Sequence, residues 1–130
     1  MNFKPIPNKF EYLNWQEIES IAKDKRSTVI WPFGAVEQHG PHLPLATDSI
    51  FVDEIICEVF KLFSPDIPLK KLPTQYIGFS PEHKSFSGTI SLSSNLIISM
   101  IKEVGGQLSE MGFKRLILIN GHGGQISLLH

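Results

Sequence analysis

Two short runs of β-branched and apolar residues, Thr28-Val-Ile-Trp-Pro-Phe33 and Leu116-Ile-Leu-Ile119, constrain the fold of this chain more than any other feature. Neither alternates polar with apolar residues, which is the pattern of strands covered on both faces of a parallel sheet. Between them lie two long amphipathic stretches. In 48–63, Val52, Ile55, Ile56, Val59 and Phe63 recur at helical spacing; in 93–111, Ile97, Met100, Ile101, Val104 and Leu108 do. Strands that alternate with long helices pair in parallel through right-handed crossovers. The expected fold class is therefore α/β, layered around a mostly parallel sheet.

The remaining segments fit that scheme. Residues 14–23 read as a short helix, with Asn14 and Glu17 as a capping box and Trp15, Ile18, Ile21 and Ala22 as its apolar stripe. Residues 69–76 are a weaker strand, interrupted by Pro73, and 1–13 an irregular arm. Gly105 and Gly106 weaken the second long helix by roughly 1 kcal/mol each relative to alanine, and Gly112 is its natural stop. Met100 and Met111 fall on its stripe and are expected in the core.

At 130 residues the chain suits one domain, 1–130. Lys plus Arg number 12 against 13 for Asp plus Glu, a balance that argues against nucleic acid or an anionic membrane as partner. The lone Cys57 can form no internal disulfide, and no run has the length of a membrane span. A cytoplasmic location is the expectation.

Functional groups in open α/β sheets gather beyond the carboxyl ends of the strands. Both apolar runs lead into loops rich in glycine and histidine there. Glu37, His39, His42 and Asp48 occupy the first, and His122 stands in Asn120-Gly-His-Gly-Gly124. Glu37 and His39, two apart, project to one side of an extended segment. Asp48 sits at a helix mouth, where the helix dipole favours a carboxylate. Mixed imidazole and carboxylate donors suit Zn, Mn or Fe(II), and a carboxylate such as Asp48 can bridge two ions. Plainer readings exist for each residue. Asp48 or Thr47 could be only an N-cap, and His39 and His42 hydrogen-bonded loop histidines. Gly121, Gly123 and Gly124 could cradle a phosphate, though without Walker or dinucleotide spacing. His83 could line a pocket or simply sit on the surface; His130 has no assigned role.

The stretch Gly34-x-x-Glu37-Gln38-His39-Gly40-Pro41-His42-Leu43-Pro44-Leu45-x-Thr47-Asp48 resembles the signature of the creatininase (creatinine amidohydrolase) family. So do Gly78-x-Ser80-x-Glu82-His83, Phe86-x-Gly88-Thr89-Ile90-Ser91-Leu92 and Asn120-Gly121-His122-Gly123-Gly124. The resemblance covers the amino-terminal half of the family pattern. It implies a three-layer α/β/α fold, a centre of two divalent ions and homo-oligomers, often hexamers. It also implies hydrolysis of a cyclic amide, formamide or related C–N bond through a metal-activated water. Carried over, Glu37 and His39 are terminal ligands on different ions, Asp48 bridges them and His122 joins Glu37; Ser80 and His83 contact the substrate. The creatinine-hydrolysing branch has a further glutamate ligand where this chain has Gly124, and an asparagine is usual where Gln125 stands.

Because the pattern stops after the Asn-Gly-His-Gly-Gly loop, the fold is expected to be truncated there. Alongside the amidohydrolase stand two other readings: an inactive paralogue that binds metal without turnover, or a subunit completed by a chain carrying the other half. The isolated chain, with no helix to cover its last strand, is expected to expose an apolar sheet face and an unpaired edge, and so to be marginally stable or obligately associated.

Overall fold

The computed structural model describes residues 8–129. His130 and the first seven residues of the expected arm lie outside them; of the arm's remainder, Phe10–Tyr12 form one 3-10 turn. Three strands, β1 (Thr28–Phe33), β2 (Leu69–Lys71) and β3 (Arg115–Asn120), build a parallel sheet in the order β2-β1-β3. Thr28 to Phe33 lie opposite Arg115 to Asn120 in register. The central strand β1 is buried along its whole length.

Alternation along β1 defines the layers. Ile30 points to one face, where it meets Ile56 and Phe60 of α2 (Thr47–Phe60). Val29, Trp31 and Phe33 point to the other. There Val29 packs with Ala22 of α1 (Trp15–Ala22) and Leu108 of α3 (Ser94–Met111), and Trp31 and Phe33 pack with Ile97. With α2 on one face and α1 and α3 on the other, the sheet has the expected three layers. A 3-10 turn, Gly123–Gln125, and a single helical turn, α4 (Ile126–Leu129), follow β3. No helix among the described residues is long and apolar enough to cross a membrane.

Several local expectations hold. Asn14 Oδ1 accepts from the backbone N–H groups of Gln16 and Glu17, each at 3.0 Å, and Glu17 Oε2 accepts from Asn14 N–H at 2.8 Å, which completes the capping box. Gly112, at φ 106°, ends α3.

Others need correction. Trp15 is 72% exposed, so the α1 stripe is only Ile18, Ile21 and Ala22. Along α2 the buried series is Ser49, Val52, Ile56 and Phe60, while Ile55 and Phe63 are exposed. That helix is apolar on most sides, so spacing alone admits more than one face; the Ser49 hydroxyl decides, its one hydrogen shared between the carbonyls of Ala35 and Tyr76, each 3.1 Å away. Met111 is 49% exposed because the chain reverses at Gly112 and Phe113 takes the core position against Leu108. In β3 only Leu116 and Leu118 turn to the α3 side; Ile117 is 41% exposed, and among the described residues β3 pairs with β1 alone.

The strand expected at 69–76 stops at Lys71, and Gln75 rejoins β1 past Pro73 by donating to the Pro32 carbonyl. Lys71 is buried, with its Nζ 2.7 Å from Asp53 Oδ1, and Thr74 Oγ1 donates to the same carboxylate. Burial opposes a charged Asp53, but Lys71 and Thr74 outweigh it and hold its pKa below the ordinary 3.8. A lowered carboxylate pKa stabilises the fold above the unfolded-state value and ceases to do so as pH falls through the folded value. Asp53→Asn, which strands a buried ammonium, is expected to cost roughly 3 kcal/mol at neutral pH. Urea unfolding at pH 7 and again below pH ~4 checks it: the difference between variant and wild type should shrink at the acid end.

Candidate metal centre

The carboxyl ends of β1 and β3 lie side by side, and Gly121 N–H closes the gap by donating to the Phe33 carbonyl at 2.7 Å. After β1 the chain runs extended through Glu37. It is held by Glu37 N–H on the Leu45 carbonyl, Ile90 N–H on the Val36 carbonyl, and Gln38 N–H on Thr89 Oγ1. The loop then returns at Thr47 to start α2. Gln125, fully buried, ties the remaining pieces together: its amide nitrogen donates to the Gly34 carbonyl and to Asn120 Oδ1, and its Oε1 accepts from Phe79 N–H.

This frame collects Glu37, His39, Asp48 and His122 in one place. One ligand-type atom from each of Glu37, His39 and Asp48 lies within 4.8 Å of the others. His39 Nε2 is 3.0 Å from Asp48 Oδ1. His122 Nδ1 is 2.9 Å from Asp48 Oδ2 and 3.2 Å from Glu37 Oε1. Glu37 is 4% exposed and His122 5%, so the cluster is largely removed from water.

Hydrogen bonding on the far side of each imidazole fixes what faces the carboxylates. His39 Nδ1 is 3.1 Å from the Glu37 carbonyl, and His122 Nε2 is 3.0 Å from the Phe79 carbonyl. A carbonyl only accepts, so in the neutral ring each of those nitrogens carries the proton. The opposite nitrogens then present lone pairs to carboxylate oxygens. Acceptor faces acceptor at three contacts near 3 Å, an arrangement that repels unless a cation lies among them. A proton is one such cation: burial opposes a charged His39, but the Glu37 carbonyl and the Asp48 carboxylate raise its pKa above the ordinary 6.5. A divalent metal is another, and a histidine that donates its far N–H to a backbone carbonyl is how ligating histidines are held. The donor set fits a metal of the Zn, Mn or Fe(II) kind.

The N-cap reading of Asp48 fails, since α2 begins after Ala46 with no side-chain cap and the Asp48 carboxylate turns to the histidines. Thr47 Oγ1 donates to the Pro44 carbonyl instead. The phosphate cradle fails as well: space beside Gly124 belongs to Glu82 Oε1, which would repel an anion, and Gly121 abuts Val52. His42 is exposed beside Gly40, outside the cluster.

Ser80 is fully buried, its Oγ 3.2 Å from His122 Nε2. His83 is partly exposed at the rim; its Nδ1 accepts from the Gln38 amide at 3.2 Å and its Nε2 lies 4.0 Å from Glu37 Oε2. Sequence reasoning gave no role to Gln125, to the Phe79 carbonyl or to Glu82. The first two act through tertiary contacts that leave no local pattern, whereas Glu82 stood in view next to His83 within a motif.

A family model described as creatinine amidohydrolase matches residues 11–130. Among curated relatives, the mycofactocin precursor peptide peptidase of Mycobacterium tuberculosis (strain ATCC 25618 / H37Rv) is 34% identical over 108 residues, covering 78% of this chain and 43% of that protein. The creatinine amidohydrolase of Pseudomonas putida is 29% identical over 115 residues, covering 85% and 43%. Of solved structures, a manganese creatininase superposes with a TM-score of 0.81 at 24% identity, over 94% of this chain and 48% of that one. A mutant creatininase of the Zn-Zn type gives 0.82 at 25% identity, over 92% and 47%. The chain thus spans less than half the length of the relatives it matches, and its three parallel strands and flanking helices are those of their fold. By the extent of that match, the chain belongs to the creatininase family.

Proposed function

We propose that this chain carries the metal centre of a creatininase-type amidohydrolase that cleaves a C–N bond of a small amide, cyclic amide or formamide. The observation that carries the reading is the set of bare imidazole nitrogens facing Asp48 and Glu37. Glu37, His39, Asp48 and His122 would hold the metal. Asp48 turns one oxygen to His39 and the other to His122, so it would be the ligand shared between two ions, with His39 serving one and His122 and Glu37 the other. Divalent ions in such a set supply Lewis acidity toward a carbonyl oxygen and a water nucleophile near neutral pH.

The protein's own groups do the positioning. The Phe79 and Glu37 carbonyls fix the ring orientations of His122 and His39, and Ser80 supports His122 from behind. Of the two residues expected at the substrate, partly exposed His83 would touch it from the rim, and buried Ser80 would act through His122. Exposed Phe51 and Ile55 on α2, with Ile117 on the edge strand, favour a homo-oligomer or a covering chain.

Elemental analysis of purified, undialysed protein tests the centre. We expect close to two equivalents of Zn, Mn or Fe per chain, with amide and formamide hydrolysis then assayed on the loaded protein. Protein that neither retains metal nor binds added Zn²⁺ or Mn²⁺ sinks the reading.

A further inference from the structure

A second group of side chains adjoins that centre, sharing Glu37 with it and adding Glu82 and His83. Glu37 turns Oε1 to His122, whereas its Oε2 is buried with no hydrogen-bond partner. A carboxylate oxygen withdrawn from water and left bare is costly. It faces His83 Nε2 at 4.0 Å, too far for a hydrogen bond. Glu82, in the turn Pro81–His83, brings its carboxylate to the same point: one ligand-type atom from each of Glu37, Glu82 and His83 lies within 4.8 Å of the others. Glu82 can stand there because position 124 has no side chain. A Cβ on Gly124 would lie 2.5 Å from Glu82 Oε1 and 2.6 Å from His122 Nε2. Among the described residues, neither Glu37 nor Glu82 is paired with a lysine or arginine.

We propose that Glu37 Oε2, Glu82 and His83 form a further divalent-cation position that shares Glu37 with the Asp48 centre. The inference rests on the metal reading of that centre and adds a site to it.

Gln38 sets the strength of this position. Its Oε1 accepts from Gly40 N–H at 3.0 Å, which fixes the amide so that its nitrogen donates to His83 Nδ1. The neutral His83 ring therefore carries its proton on Nε2, the nitrogen that faces Glu37. To ligate through Nε2 the ring must shift that proton to Nδ1, and Gln38 must turn its oxygen to it and release Gly40. His39 and His122 need no such rearrangement. The further position consequently binds more weakly than the Asp48 centre. Gln38→Glu removes the handicap, because a carboxylate accepts from Gly40 N–H and from His83 Nδ1–H together.

The test is a Mn²⁺ titration of the metal-free protein, followed by calorimetry and by electron paramagnetic resonance of free Mn²⁺. Wild type, Glu82→Gln, Gln38→Glu and Asp48→Asn are compared, with thermal melts to confirm folding; among the described residues the Glu82 carboxylate makes no hydrogen bond, only a 3.8 Å approach to His122 Nε2. Wild type should show a tight class and one weaker equivalent. Glu82→Gln should weaken the second class about tenfold or more and leave the first, and Gln38→Glu should tighten the second about tenfold. Asp48→Asn should remove the tight class. A wild type without the weaker class, or a weaker class untouched by Glu82→Gln, overturns the proposal. Loss of only the tight class in wild type would overturn the reading of the Asp48 centre while the further position stood.

Discussion

Asp48→Asn is expected to change the sign of its effect with metal. In metal-loaded protein it should be strongly destabilising. A ligand present at a hundred times its dissociation constant stabilises the folded state by about 2.7 kcal/mol, and the variant should forfeit that shift. In metal-free protein at alkaline pH, above the raised pKa of His39, the same substitution should be neutral or stabilising. The asparagine amide can donate to one of the two bare nitrogens, His39 Nε2 or His122 Nδ1, that the carboxylate now repels. Nearer neutral pH the outcome shifts again. His39's raised pKa means that its proton stabilises the fold below the unfolded value of 6.5 and ceases to do so as pH rises through the higher folded value. Metal-free wild type should therefore lose stability as pH rises through that window, and added Zn²⁺ should restore it. Melting curves of both proteins with and without Zn²⁺, at neutral and alkaline pH, decide the matter. If Asp48→Asn destabilised the metal-free protein as much as the loaded one at alkaline pH, the cluster would be an ordinary structural network.

Gly34→Ala carries the second large effect, on the fold. Gly34 leaves β1 directly beneath the first turn of α2, where an added Cβ would meet the backbone of Ser49, with Ser49 N only 2.6 Å away. Neither β1, hydrogen-bonded on both sides, nor α2, anchored by the Ser49 hydroxyl on Ala35 and Tyr76, can yield without breaking those bonds. Overpacking of this kind costs about 3 kcal/mol or more, a large share of the 5–15 kcal/mol typical of a domain. It would also displace Asp48, which adjoins Ser49. Gly106→Ala is the internal contrast: nothing lies within 4 Å of its Cβ in the middle of α3, so alanine should raise stability by about 0.5–1 kcal/mol. Urea midpoints of the two variants should move in opposite directions; a Gly34→Ala midpoint within error of wild type would show that the strand exit can relax.

The contrast between these glycines marks how far local pattern reaches. Both interrupt apolar sequence, and only the tertiary neighbour distinguishes an indispensable close approach from a replaceable weak point. The same holds for α2, whose apolar residues surround most of the helix: the buried face was settled by the Ser49 hydroxyl finding two carbonyls from other segments. Lys71 reads as a surface residue and is buried because Asp53, eighteen positions earlier, meets it from α2.

The sequence alone determined the strand and helix order, because unbroken β-branched runs and 3.6-residue periodicity are local properties of the chain. It also determined the convergence of the two histidine loops, because parallel strands joined by crossovers put all their carboxyl ends on one edge. Only the tertiary structure decided which nitrogen of each histidine faces the carboxylates, since that depends on carbonyls at Glu37 and Phe79 delivered by backbone geometry. It alone placed Gln125 beneath the site and left Glu37 Oε2 buried beside Glu82. Hydrogen-bond direction and desolvation are properties of atoms brought together from distant positions, and no spacing along a chain encodes them.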